Sequence, residues 1–181
     1  MNHREAHHAR LRAVLLAAAR GLAVDRGWTA VRMADVANVS GVSRQTVYNE
    51  FGSRAGLAEA LAAAEVASFV SAMRADFFGS RADARKAIRT AALRVIRETA
   101  GNPLVHDREL FPRRISGPVL DAAGAVIREW AAVFHPIYPA KTVEVAAESI
   151  VRLTVSHLVL PLDPPEKTAA ALADVFVRLL R

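Results

Sequence analysis

Apolar residues in this chain return at three- and four-residue intervals and nowhere alternate for long, which is the period of helices rather than strands. Leu11, Val14, Leu15, Ala18 and Leu22 form the first such stripe, predicting an amphipathic helix over about 6–25 that stops near Gly27. A short helix from about Arg32 to Asn38 follows, with Met33, Val36 and Ala37 turned inward. Gly41 marks a tight turn, because only glycine adopts positive φ without steric cost. Ser43 then caps a second short helix ending at Glu50, with Val47 inward and Arg44, Gln45 and Asn49 outward. Ser53 opens a long Ala-rich helix from Arg54 to about Phe78, whose Leu57, Leu61, Ala64, Val66 and Phe69 close over the first three. Gly56 lies near its start, where a helix tolerates glycine best.

The pattern stays helical beyond Gly79. It predicts a helix over about 82–100, a connection containing Asn102, Pro103, Pro112 and Pro118, and another helix over about 119–134. His135 to Pro139 breaks the chain again. Thr142 caps a helix to about Leu160, and Pro161, Pro164 and Pro165 separate it from a last helix reaching the C-terminus. With no strand pattern and no internal repeat, the fold class is all-α.

A length of 181 residues suffices for one substantial core and a small appended module. The 52% apolar content is that of a folded chain. Cysteine is absent, which excludes disulfides and thiolate chemistry and suits a reducing cytoplasm. The N-terminus lacks the core and cleavage site of a signal peptide, and no run approaches the eighteen continuous apolar residues of a membrane span, so no membrane partner is expected. The net charge of +6 is concentrated at the front: residues 1–56 carry eight Arg against four acidic residues, and residues 57–181 carry sixteen Lys or Arg against fourteen. Such a bias suits a surface for a polyanion, and on its own is also common in soluble proteins without one.

Enzyme chemistry has no foothold in the sequence. There is no Gly-rich phosphate loop, no HExxH and no GxSxG. No cofactor and no metal site is expected. The six His lie at 3, 7, 8, 106, 135 and 157; the first three fall in an N-terminal segment expected to be mobile, and the others are too dispersed to form a ligand set.

The segment GWTAVRMADVANVSGVSRQTVYNEFGSRAGLAEAL, Gly27 to Leu61, resembles the N-terminal domain of the TetR family of bacterial repressors. The likeness is carried by Val36-Ala37, Gly41-Val42-Ser43, Thr46-Val47-Tyr48, Phe51, Ser53-Arg54 and Leu57. It implies a three-helix helix-turn-helix DNA-binding domain over 1–53, and a helical effector-binding and dimerisation domain over 54–181 that includes the connecting helix. The segment Ala147 to Pro161 also resembles the C-terminal region of actinobacterial members linked to lipid or alkane metabolism. Two positions depart from the family pattern. Val31 and Arg32 stand where many members have a hydroxyl cap, and Glu50 stands where an aromatic residue or His is usual; Glu50 must face away from phosphates or accept from a cytosine amino group.

The partners expected are a pseudo-palindromic double-stranded operator, a second copy of the chain and a small-molecule effector. Arg44 has the fork for guanine and Gln45 the amide for adenine, with Asn49 as a third base-contact candidate. The resemblance assigns phosphate contact to Thr46 and Tyr48, joined by Arg32, Ser43 and Arg54. Phe77, Phe78, Leu93, Ile96, Phe111, Trp130 and Phe134 either fill a core or line an apolar effector pocket, with His106, Arg108 or Arg128 as its polar anchor. Ala147, Ile150, Val151, Thr154 and Leu158, then Leu172, Val175, Phe176 and Leu179, form apolar stripes on the last two helices; a small domain rarely buries two such faces alone, so they are expected at a two-fold dimer interface. The function expected is a DNA-binding regulator, a repressor released by a mostly apolar effector. The alternatives are a regulator that answers to a partner protein or activates, and a helical ligand-binding or protein-interaction protein whose DNA binding has weakened, an idea that rests on Arg32 and Glu50.

Overall fold

The computed structural model describes residues 3–107, 110 and 116–181. Every regular element among them is helical: α1 (His3–Arg26), a 3₁₀ turn (Trp28–Ala30), α2 (Met33–Ser40), α3 (Arg44–Phe51), α4 (Arg54–Gly79), α5 (Ala84–Gly101), a second 3₁₀ turn (Pro103–His106), α6 (Ser116–Phe134), α7 (Ala140–Val159) and α8 (Pro165–Leu179). The expected elements are all present. The N-terminal histidines, expected to be mobile, lie on α1 from its first turn.

The chain divides into two compact units, 1–67 with 102–113, and 68–101 with 114–181. The sequence-based boundary at 53/54 falls elsewhere because α4 serves two cores. Its Leu57 and Leu61 are buried in the first and its Met73 and Phe77 in the second. The connection after α5 also returns to the first unit, where Leu104 and Leu110 are buried. By length and composition alone α4 could also cross a membrane, but Glu59 and Glu65 interrupt its apolar run, and Leu57, Leu61, Met73 and Phe77 are buried in the two cores.

In the first unit the buried line of α1 is Leu15, Ala19 and Ala23, with Leu11 and Leu22 at its edge and Val14 exposed, so the stripe lies about one residue out of phase with expectation. Trp28, whose turn follows directly on α1, is buried and is the largest side chain of this core. Full burial of a side chain of that size is worth about 3 kcal/mol relative to exposure, enough to fix the end of α1 against α2.

The second unit is built on close approach of α5 to α8 and of α6 to α7. Alanines make this possible: Ala87, Ala91 and Ala92 on α5 and Ala169 and Ala173 on α8 are buried. Around them pack Phe77, Ile88, Trp130, Ile150, Leu172 and Phe176. The Trp130 indole donates to the carbonyl of Arg81 at 2.7 Å, holding the turn after α4, where Arg81 takes a positive φ of 52°.

This core overturns part of the expected dimer interface. Ala147, Ile150, Leu172 and Phe176 are buried inside their own unit and have no surface to offer a partner. The domain buries the inner part of both stripes, because alanines on the partnering faces let α7 and α8 press against α5 and α6. Val151, Thr154 and Leu158 are half-buried, and Val175 and Leu179 are exposed.

Candidate nucleic-acid interface

The turn between α2 and α3 follows from two residues. Gly41 ends α2 in the left-handed region (φ 66°, ψ 28°), and the Val42 N–H returns to the Ala37 carbonyl at 3.1 Å. Ser43 starts α3 as its N-cap, its hydroxyl accepting from the Thr46 N–H at 3.0 Å and lying 2.8 Å from the Thr46 hydroxyl. Val47 and Phe51 are buried on the inner face of α3.

The outer face carries the candidate DNA contacts as two i,i+4 pairs. The Arg44 guanidinium lies 5.3 Å from the centre of the Tyr48 ring and donates to its hydroxyl at 3.3 Å, and the Gln45 amide donates to Asn49 at 2.7 Å. The Tyr48 hydroxyl raises the Arg44 pKa, first through the hydrogen bond and then through charge, and desolvation opposes the rise only weakly. Arg44 therefore stays cationic under all working conditions. Both pairs lie at the surface, so exchanging these partners for base or phosphate groups costs little. Arg32, exposed, takes the N-cap of α2, where its N–H donates to Asp35 at 3.3 Å; Asp35 in turn pairs with Arg26 at 2.9 Å.

Two expectations for this face change. Arg54 is turned into the unit: it donates to the carbonyls of Trp28 at 2.8 Å and Val31 at 3.1 Å and stacks over the Trp28 ring at 4.9 Å. The guanidinium thereby satisfies the carbonyls of a 3₁₀ turn, work that takes it away from phosphate. Glu50 does not wait for a cytosine. Its side chain is only 5% exposed; the carboxylate accepts from Arg12 at 2.7 Å and lies 2.8 Å from His8 Nε2, both on α1.

The far end of α3 is fixed by a glycine that sequence reading valued only for its propensity. A Cβ on Gly56 would lie 2.1 Å from the Phe51 carbonyl oxygen. The Gly56 N–H is held by the Ser53 hydroxyl at 3.1 Å, and the Ser53 N–H by the Phe51 carbonyl at 2.8 Å. α3 thus ends against the first turn of α4 with no room for a side chain.

The aromatic residues of the second unit are stacked on one another. Phe77 meets Trp130 edge-on at 5.3 Å, Phe78 meets Phe134 at 5.9 Å, and Trp130 lies 6.4 Å from Phe134 and 6.5 Å from Phe176. Phe77 and Trp130 are fully buried and Ile96 nearly so, so these three fill a core in this structure. Arg128 is exposed and lies along α6, its Nη1 3.0 Å from where a Cβ on Gly124 would be. Arg108, Phe111 and the side chain of His106 lie outside the described residues. An open groove of about 720 Å³ runs along the exposed side of α5, lined by charged residues such as Lys86, Arg89 and Arg97 together with Leu93, the only expected pocket residue it contains. Among the described residues no three His, Asp or Glu side chains converge as a metal site would require.

Comparison with known proteins agrees with this arrangement. Residues 15–61 match the model for bacterial regulatory proteins of the tetR family, and residues 83–178 match the bacterial tetracyclin repressor C-terminal domain. The chain is 33% identical to the HTH-type transcriptional regulator AlkX of Mycobacterium tuberculosis (strain ATCC 25618 / H37Rv), over 93% of this chain and 84% of that protein. It is similar to the crystal structure of the TetR family repressor AlkX from Dietzia sp. strain DQ12-45-1b, implicated in biodegradation of n-alkanes, with a TM-score of 0.71 and 29% identity over 93% of this chain and 94% of that one. RolR, solved in complex with resorcinol, shares the fold at 16% identity, with a TM-score of 0.66 over 97% and 90% of the two chains. A family model over residues 83–178, a second over residues 15–61 and a relative 33% identical over 93% of the chain together show that the chain belongs to the TetR family of bacterial regulatory proteins, and is a sequence-specific DNA-binding transcriptional regulator.

Proposed function

We propose that the protein is a cytoplasmic homodimeric repressor that reads a pseudo-palindromic operator with α3 of each protomer and releases it when a mostly apolar small molecule enters the second unit. One observation carries the DNA half of this reading: α3 is locked on its inner face by Val47 and Phe51 while Arg44, Gln45 and Asn49 stand together on its outer face. In that role Arg44 and Gln45 read base edges with Asn49, and Arg32, Ser43, Thr46 and Tyr48 hold phosphates. The inward turn of Glu50 takes away one of the two reasons for suspecting weakened DNA binding.

The effector half rests on the apolar second core and on the likeness to the Dietzia AlkX, which points to alkane-derived or other long-chain molecules. Phe77, Ile96 and Trp130 line a site only if the core opens around the ligand. Release then requires the ligand to bind the low-affinity conformation more tightly, since equal binding to both shifts nothing. Dimerisation through α7 and α8 uses the faces that the core leaves open: half-buried Val151 with exposed Val155 and Val159 on one helix, and exposed Ala171, Val175 and Leu179 on the other, each spaced by four residues.

The test is binding of the full-length protein to duplex DNA flanking its own gene, followed by challenge of the complex with fatty acids, their acyl thioesters, n-alkanes and aromatic compounds. Retention of a specific duplex with release by one apolar class is expected. A specific complex that no member of the panel weakens would leave the regulator and remove the apolar effector.

A further inference from the structure

Glu50 sits where elementary electrostatics disfavours it. It is the last residue but one of α3, near the negative end of the helix dipole, and it lies on the helix that meets a polyanion. Its side chain is also almost wholly removed from water. What offsets this is a pair of side chains from one face of α1, His8 and Arg12, one turn apart, with Arg12 also lying over the Phe51 ring at 5.0 Å. With the carboxylate buried and its partners 41–66% exposed, such a contact is weak as a source of stability, and the best-attested use of a buried charge of this kind is to fix one geometry among several. Here the geometry fixed is the placement of the C-terminal end of α3 against the N-terminal half of α1.

We propose that Glu50 is a positioning residue for base reading: held by Arg12 and His8, it sets where α3 lies on the first unit, and with it operator selectivity. The inference rests on α3 being the helix that reads DNA. On α1, Arg4 and Glu5 precede His8 by about one turn and Arg12 follows it. Further along, Arg20 pairs with Glu65 of α4 at 2.7 Å and Arg26 with Asp35 of α2 at 2.9 Å. Arg54 of α4 is engaged with the Trp28 turn. On α3 the facing group is Glu50 itself, beside the Phe51 ring.

Selectivity is the informative readout. A change in the net charge of the first unit alters attraction to DNA of any sequence. A displacement of α3 is felt by paired hydrogen bonds to base edges far more than by phosphate contacts, which carry no sequence information. The experiment measures full-length protein on a duplex operator selected from a random-sequence pool and on random duplex, for wild type, Glu50→Gln, Arg12→Gln and Arg44→Ala, with the Tm of each. The Arg12 side chain is 41% exposed, so its replacement leaves the first unit folded. The operator-to-random affinity ratio should fall roughly fivefold in Glu50→Gln and in Arg12→Gln, the scale of one partly exposed ion pair. A ratio unchanged in both variants overturns the proposal. Arg44→Ala separates the two ideas. If it leaves the ratio unchanged, the reading of α3 fails; if it lowers the ratio while Glu50→Gln and Arg12→Gln behave as wild type, only the positioning role fails.

Discussion

On the outer face of α3, Arg44 rests on the ring of Tyr48 and Gln45 is tied to Asn49, so each proposed base-contact residue is held by one a turn away. Replacing Arg44 with Ala should cost about 1–3 kcal/mol on the operator and relax preference at one base position, as fluorescence anisotropy with operator variants would register. Equal loss on operator and random duplex would mean that Arg44 holds phosphate instead. Tyr48→Phe should weaken both duplexes by similar factors, since a phosphate contact carries no sequence. It also removes the acceptor that steadies Arg44, so the double variant should fall short of the sum of the two losses. The exposure of Arg44, Gln45 and Asn49 was legible in the sequence, because period and capping fix which side of a short helix faces out. The fates of Arg54 and Glu50 were not. Both depend on partners more than twenty residues away, Trp28 and Val31 for one, His8 and Arg12 for the other.

Helix order and the turn at Gly41 followed from apolar period, glycine and the Ser43 cap. Phase was harder. The α1 stripe is broad enough that Val14 and Ala19 compete for the inner position, and the structure buries the smaller residue because α1 lies close to its neighbours. Gly56 shows what a propensity scale cannot hold, since its value lies in the approach of the Phe51 carbonyl. Gly56→Ala should lower the stability of the first unit by about 1–3 kcal/mol, the range for forcing extra volume into a filled site, although alanine is the better helix former. Thermal unfolding would show it as a lower Tm. An unchanged or higher Tm would mean that the α3–α4 junction yields easily.

Across the whole chain, the two-unit arrangement was only partly visible. α4 gives nothing in its sequence to mark where one core ends and the next begins, and the return of Leu104 and Leu110 to the first core is a long-range fact. The buried alanines likewise explain why Ile150 and Phe176, apolar and well spaced, serve their own unit. Ile150→Glu should therefore unfold the second unit, whereas Val155→Glu with Val175→Glu should leave a folded monomer by sedimentation equilibrium. A dimer unchanged by the latter pair would place the interface elsewhere. A dimer matters to function because one short helix reads few bases, and two reach successive major grooves about 34 Å apart. The most direct measurement is equilibrium binding of the full-length protein to its selected operator and to random duplex at two salt concentrations. A clear preference for the operator is expected at both, with affinity falling at least about tenfold between roughly 50 and 200 mM salt, because binding releases counterions from the DNA phosphates. Equal affinity for the two duplexes, or no binding that salt can weaken, would contradict the proposed function.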